Sequence, residues 1–126
     1  MIEFNMVNKV LIIDDDNRNI FALKAVLKAK GYQCLSAAGA EEGIDLLIRD
    51  KNIAVVLMDM MMPGMDGYQA IAKINETPEL KDIPVIAVTA QAMLGDKERC
   101  IDAGAVGYVS KPINVDELTK LLTVYI

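Results

Sequence analysis

The sequence predicts an α/β fold in which five parallel strands form one sheet with helices on both faces. Short apolar runs alternate five times with amphipathic stretches along the 126 residues. Three of these runs are continuously apolar and mostly β-branched, which is typical of strands buried on both faces. Strands that alternate with helices form a parallel sheet, and right-handed crossovers favour the doubly wound, flavodoxin-like strand order 2-1-3-4-5.

Five strands and five helices are expected. The predicted strands are residues 10–13, 32–36, 54–58, 85–88 and 106–109. Four helices are predicted from apolar residues that recur at intervals of three and four. Their apolar stripes are Ile20, Leu23, Val26 and Leu27; Ala40, Ile44, Leu47 and Ile48; Tyr68, Ile71 and Ala72; and Leu118, Leu121, Leu122 and Tyr125. Asn114, followed by Glu117, predicts the N-cap of the last helix.

The fourth helix, predicted over residues 92–103, has the weakest pattern. Its apolar stripe is only Met93, Cys100 and Ile101, and it contains Gly95 and a polar run at 96–99. A helix that buries so little can shift at a small cost in free energy. The pattern fits an ordinary solvated surface helix equally well.

Composition disfavours several classes of protein. Thirteen Lys and Arg against 18 Asp and Glu give a net charge of −5, which disfavours direct nucleic-acid binding. The longest apolar run has six residues, far below the ~20 of a membrane helix, and no signal peptide is visible. We therefore expect a single cytoplasmic domain over residues 1–126, with no membrane contact and with Cys34 and Cys100 as reduced, buried residues. The absence of histidine excludes Ser-His triads and histidine metal ligands.

Polar residues stand directly after four of the predicted strands. They are Asp14, Asp15 and Asp16 after the first strand, Asp59 after the third, Thr89 after the fourth and Lys111 after the fifth. Since the carboxyl ends of parallel strands meet at one edge of a sheet, these side chains are expected to lie together. Neighbouring carboxylates repel one another, and a divalent cation with oxygen ligands, such as Mg²⁺, relieves the repulsion.

These residue types suit the transfer of a phosphoryl group. Asp59 is either a metal ligand alone or also a nucleophile, since carboxylates form aspartyl phosphates. Lys111 and Thr89 would place a positive charge and a hydrogen-bond donor beside an anionic oxygen. A cation, the lysine and the hydroxyl would together position and stabilise the phosphoryl group. Asp16 and Asp66 have a simpler interpretation as helix N-caps.

Four segments of the chain closely resemble the receiver domain of two-component response regulators, in that family's order and spacing. They are residues 10–15, 57–67, 84–90 and 103–112, so the resemblance extends over roughly the whole chain. It implies that Asp59 is the phosphoacceptor, that Asp15 is a direct Mg²⁺ ligand and that Asp14 acts largely through water. The backbone carbonyl of Met61 would complete the protein's metal ligands.

The resemblance also implies a switch. Thr89 and Lys111 would contact the phosphoryl oxygens, the bond from Lys111 to Pro112 would be cis, and Tyr108 would turn inward when Thr89 moves. A histidine kinase or a histidine phosphotransfer protein would supply the phosphoryl group. A downstream effector or output domain would read the face formed by the fourth helix, fifth strand and fifth helix. Such a domain is not an enzyme, although it assists its own phosphorylation and dephosphorylation.

Residues 89–93, followed by Gly95 and Asp96, are similar to the receivers of hybrid histidine kinases and of small stand-alone regulators. The main alternative is a Mg²⁺-dependent phosphohydrolase of the haloacid-dehalogenase type, whose D-x-D motif residues 14–16 fit. The Gly-Thr or Gly-Val expected next is absent, and the chain is short for that class. A flavodoxin-like electron carrier lacks support, because no loop rich in Ser, Thr and Gly follows the first strand and no tryptophan is present. A purely structural interaction module is a further alternative.

Overall fold

Five strands and five helices alternate along residues 8–90 and 94–126, the part of the chain that the computed structural model describes. The strands are β1 (Lys9–Ile13), β2 (Gln33–Ala37), β3 (Ile53–Asp59), β4 (Val85–Thr89) and β5 (Gly107–Ser110). The helices are α1 (Asn17–Ala29), α2 (Ala40–Arg49), α3 (Gly67–Glu76), α4 (Asp96–Ala103) and α5 (Val115–Tyr125). Every strand pair is parallel and the order is β2-β1-β3-β4-β5, which confirms the predicted fold class.

The sheet separates two hydrophobic cores. Strand β3 lies at its centre, and all seven of its residues are buried. Because side chains alternate along a strand, Val56 and Met58 face one core while Val55 and Leu57 face the other. Buried residues of α2, α3 and α4 belong to the first core, and those of α1 and α5 belong to the second. The central strand therefore ends at Asp59 with the carboxylate still buried.

Three of the five helices begin at the predicted caps. The side chain of Asp16 accepts a hydrogen bond from the amide of Arg18 at the start of α1. Asp66 forms a reciprocal capping box with Gln69 at the start of α3, and Asn114 caps α5. No helix in the described ranges combines the length and the apolar character that crossing a membrane requires.

Some predicted burial is wrong. Ala72 is exposed because the buried face of α3 consists of Gly67, Ala70, Ile71 and Ile74, and Ala72 points away from it. Ile48 is also exposed. Cys34 is only half-buried, since β2 is an edge strand, whereas Cys100 is fully buried as predicted. Val106 lies outside β5 and is exposed.

Helix α4 buries little, as its sequence predicts. It has eight residues, and only Asp96 and Cys100 are buried. The beginning of the predicted helix, including Met93, lies outside the described residues. The helix ends at Gly104, whose φ of 120° is one that other residues rarely adopt. A side chain there would also collide with Asn75 and Ile71 of α3, so glycine allows α4 to approach α3 closely.

Candidate functional site

Three carboxylates meet at the carboxyl edge of the sheet. Asp14 directly follows β1 and is buried, Asp59 ends β3 and is buried, and Asp15 is exposed. The two strands are neighbours, and Ile13 pairs with Met58, so the residues that follow them are brought side by side. One oxygen from each of the three carboxylates lies within 4.8 Å of the others. Such a set of oxygen donors fits a hard divalent cation.

The buried carboxylate of Asp14 is held by several donors. Its Oδ1 accepts a hydrogen bond of 2.8 Å from the amide of Asp16, and its Oδ2 accepts one of 2.7 Å from the side-chain amide of Asn19. The Nζ of Lys111 lies 3.4 Å from the same Oδ2. The sequence analysis did not identify Asn19 as a residue of this site. Its only signal was an amide side chain in the first turn of a helix that begins just after the acidic residues.

The electrostatic environment of Asp59 combines burial with one negative and one positive neighbour. Burial raises the pKa of its carboxyl above the ordinary value, and the nearby charge of Asp14 raises it further. The hydrogen bond of 3.1 Å from the amide of Met61 to Oδ1 and the charge of Lys111, 3.5 Å from Oδ2, oppose this shift. An additional cation beside this carboxylate would therefore stabilise its charged form. The role of the Met61 carbonyl stays a prediction.

Lys111 and Thr89 lie at the ends of neighbouring strands. Thr89 is buried at the end of β4 and pairs with Ser110 of β5. The amide of Lys111 donates a hydrogen bond of 2.8 Å to the Thr89 carbonyl. This bond fixes the backbone from which the Lys111 side chain reaches both Asp14 and Asp59. The bond from Lys111 to Pro112 is cis, as the resemblance implies.

Tyr108 on β5 is half-buried, and its hydroxyl lies beside the first residue of α4. It donates a hydrogen bond of 3.2 Å to Oδ2 of Asp96, a buried carboxylate. The hydroxyl of Tyr68 on α3 donates to Oδ1 of the same residue at 3.3 Å. Burial raises the pKa of both phenols, with a further contribution from the Asp96 charge, and that of Tyr68 reaches about 12. From the sequence, Asp96 was only part of a polar run, so its burial was missed.

Comparison with known proteins agrees with this geometry. The family model described as response regulator receiver domain matches residues 10–123. The polar-differentiation response regulator DivK of Brucella ovis is 34% identical over 121 residues, which cover 96% of this chain and 98% of DivK.

Solved structures give the same result. Chemotaxis protein CheY4 of Vibrio cholerae superimposes with a TM-score of 0.85 and is 25% identical, over 95% of this chain and 99% of CheY4. The receiver domain of sensor histidine kinase PA1611 from Pseudomonas aeruginosa, solved with a magnesium ion coordinated in its active-site cleft, has a TM-score of 0.84 and is 30% identical, over 94% of this chain and 96% of that domain. Neither the family match nor these relatives support the phosphohydrolase alternative. The chain belongs to the response regulator receiver domain family and is a receiver domain of two-component signalling.

Proposed function

We propose that Asp59 accepts a phosphoryl group, in the presence of Mg²⁺, from a phosphohistidine on a histidine kinase or a histidine phosphotransfer protein. The main observation is the position of Asp59, buried at the end of β3 with Lys111 at 3.5 Å and two further carboxylates beside it. We also propose that residues 1–126 form one receiver domain, since the family match spans residues 10–123. We also propose a cytoplasmic location, in which the thiols of Cys34 and Cys100 would stay reduced.

The carboxylates fit Mg²⁺ by their chemistry. Asp14, Asp15 and Asp59 would hold the ion with the carbonyl of Met61, and oxygen donors of this kind are those that Mg²⁺ prefers. When bound, Mg²⁺ supplies positive charge that neutralises the phosphoryl oxygens. The magnesium ion in the active-site cleft of the PA1611 receiver domain supports this assignment.

In the reaction, a carboxylate oxygen of Asp59 attacks the phosphorus atom of the phosphohistidine. A new P–O bond forms while the P–N bond breaks, and its electron pair remains on the imidazole nitrogen of the partner. The ammonium of Lys111 lies beside Asp59 and can form an ion pair with the negatively charged phosphoryl oxygens once they are attached there. The hydroxyl of Thr89 would donate a hydrogen bond to the same oxygens. The donor histidine lies outside residues 1–126, which contain no histidine.

Phosphorylation would act by a population shift. The product carries about −1.5 to −2 charges, by analogy with other phosphorylated side chains. This charge would draw Thr89 towards it, and Tyr108 would then change position. A preference of a few kcal/mol for the active arrangement is enough to change which state dominates. A downstream effector or output domain would read α4, β5 and α5. The domain would assist its own phosphorylation and dephosphorylation.

Phosphoryl uptake from a small donor tests the proposal directly. We expect incubation with an acyl phosphate and Mg²⁺ to add one phosphoryl group per chain, measured by intact-protein mass spectrometry. A chelator should prevent the uptake, and peptide mapping should locate the group on Asp59. Failure to gain mass with Mg²⁺ present, or a group located on another residue, would contradict the proposal.

Magnesium should also stabilise the fold. A ligand that binds only the folded state at one hundred times its dissociation constant adds about 2.7 kcal/mol to the free energy of unfolding. We expect a gain of this size from urea titrations with and without saturating Mg²⁺, and a much smaller gain for Asp15→Asn. Asp16→Asn is the matched control, since Asn also caps a helix and Asp16 caps α1. An equal gain in both variants would show that Asp15 does not bind the ion.

A further inference from the structure

Asp96, Tyr68 and Tyr108 form a buried polar cluster, here called the tyrosine–carboxylate cluster. It joins three elements, since Asp96 opens α4, Tyr68 lies in α3 and Tyr108 lies in β5. Each tyrosine donates to a different oxygen of the carboxylate, at 3.3 Å from Tyr68 and 3.2 Å from Tyr108. Asp96 is only 6% exposed. A carboxylate so buried is costly unless it is hydrogen-bonded, so the two hydroxyls stabilise α4 in this position.

The cluster is important for α4 because the helix has little else to bury. Asp96 and Cys100 are its buried residues. Tyr68 contacts both of them, since its hydroxyl also lies 3.7 Å from the Sγ of Cys100. The guanidinium of Arg99 lies 4.9 Å from the centre of the Tyr68 ring, a cation–π distance. One side chain of α3 thus contacts three residues of α4.

Tyr68 is also close in sequence to the phosphoacceptor site. Its neighbour Gly67 donates a hydrogen bond to the Met60 carbonyl at 3.3 Å. A Cβ on Gly67 would lie 2.6 Å from the Cα of Met60 and 3.0 Å from the carbonyl oxygen of Asp59. The first turn of α3 therefore packs so closely against the backbone of Asp59 and Met60 that position 67 has no room for a side chain. We expect a displacement of that backbone to be transmitted to the start of α3.

We propose that Asp96 is a positioning residue that attaches α4 to β5 through Tyr108 and to α3 through Tyr68. The attachment to α3 adds a second path of contacts to the switch that Thr89 and Tyr108 form in the proposed function. This second path passes from Asp59 and Gly67 to Tyr68 and on to α4. The inference rests on the proposed function only in that phosphorylation of Asp59 is the event transmitted.

Hydrogen exchange of the α4 amides, without any phosphoryl donor, tests the attachment. We expect Asp96→Asn and Asp96→Ala to accelerate this exchange roughly ten- to one-hundredfold, as expected for losing hydrogen bonds to a charged group. Asp102→Asn is the matched control, because Asp102 is an exposed carboxylate on the same helix. Amides of β3 in the same samples report whether each variant remains folded. Equal exchange in the Asp96 and Asp102 variants would overturn the attachment.

Exchange with and without phosphorylation then tests the transmission. We expect phosphorylation to change α4 exchange in the unaltered protein, to change it less in Tyr68→Phe and in Tyr108→Phe, and least in the double variant. Tyr32→Phe is the control, since Tyr32 is half-buried against the other core. A purely structural role would shift both states equally and leave the difference unchanged, which would refute the second path. The second path would also be refuted if phosphorylation did not change α4 exchange in the unaltered protein. Mass spectrometry confirms phosphoryl uptake in each sample, so a failed donor reaction is recognised separately.

Discussion

The Asp59→Asn variant should take up no phosphoryl group from an acyl phosphate, yet its free energy of unfolding at neutral pH should exceed that of the unaltered protein. The amide is a poor nucleophile, so the P–O bond cannot form. It also removes a buried negative charge beside Asp14. Losing function while gaining stability would separate the chemistry of Asp59 from any effect on folding.

The pH dependence of this gain follows from the direction of the pKa shift. Burial raises the pKa of Asp59 in the folded protein above its ordinary value of 3.8. The unfolded chain therefore releases this proton first, and Asp59 destabilises the fold increasingly as pH rises from the unfolded pKa through the folded one. The advantage of Asp59→Asn should therefore be larger at neutral pH than at acid pH, and it should disappear below the unfolded pKa. Urea titrations of both proteins in chelator, at neutral and acid pH, measure the difference.

Asp45→Asn is the matched control for this experiment. Asp45 is an exposed carboxylate on α2, where it pairs with Arg49 at 3.2 Å. Its removal should leave phosphoryl uptake intact and change stability little, because exposed ion pairs contribute little. Uptake by Asp59→Asn at the rate of the unaltered protein would disprove that Asp59 is the acceptor.

Leu57→Ala should destabilise the domain by about 3 kcal/mol, the size expected when a buried leucine is truncated in a packed core. Leu57 is 1% exposed and lies on β3, where it faces the core formed with α1 and α5. The cost has two parts, the lost burial of the removed methyl groups and the cavity that remains. Denaturation monitored by circular dichroism measures it.

The same substitution at Leu94 is the control. Leu94 is fully exposed, so Leu94→Ala should change the free energy of unfolding by no more than about 0.5 kcal/mol. If Leu57→Ala lowered the free energy of unfolding as little as Leu94→Ala, the central strand would not be enclosed as described.

The sequence was sufficient for the sheet and for much of the site because both depend on local patterns. A continuous apolar run predicts a strand buried on both faces, and β3 is such a strand. A parallel sheet places the ends of its strands together, so residues as distant as Asp14 and Lys111 could be expected to meet. The N-caps at Asp16, Asp66 and Asn114 were equally local.

Contacts that depend on how a helix packs were not predictable in the same way. Asp96 is separated from Tyr68 by 28 residues and from Tyr108 by 12, and a polar run at the start of a weak helix reads as solvent-exposed. Its burial results from two phenols on other elements. Cys34 was misjudged although the predicted strand order already places β2 at an edge of the sheet, where side chains are less enclosed than in the central strands.

The contrast between β3 and α4 affects how such a domain can evolve. Asp59, the proposed phosphoacceptor, belongs to a strand whose seven residues are all buried, while α4 has only two buried residues among eight. Under the proposed function, mutations on the exposed side of α4 would alter which protein recognises the domain while the chemistry at Asp59 is preserved. New signalling partners can arise in this fold without the reaction having to be invented again.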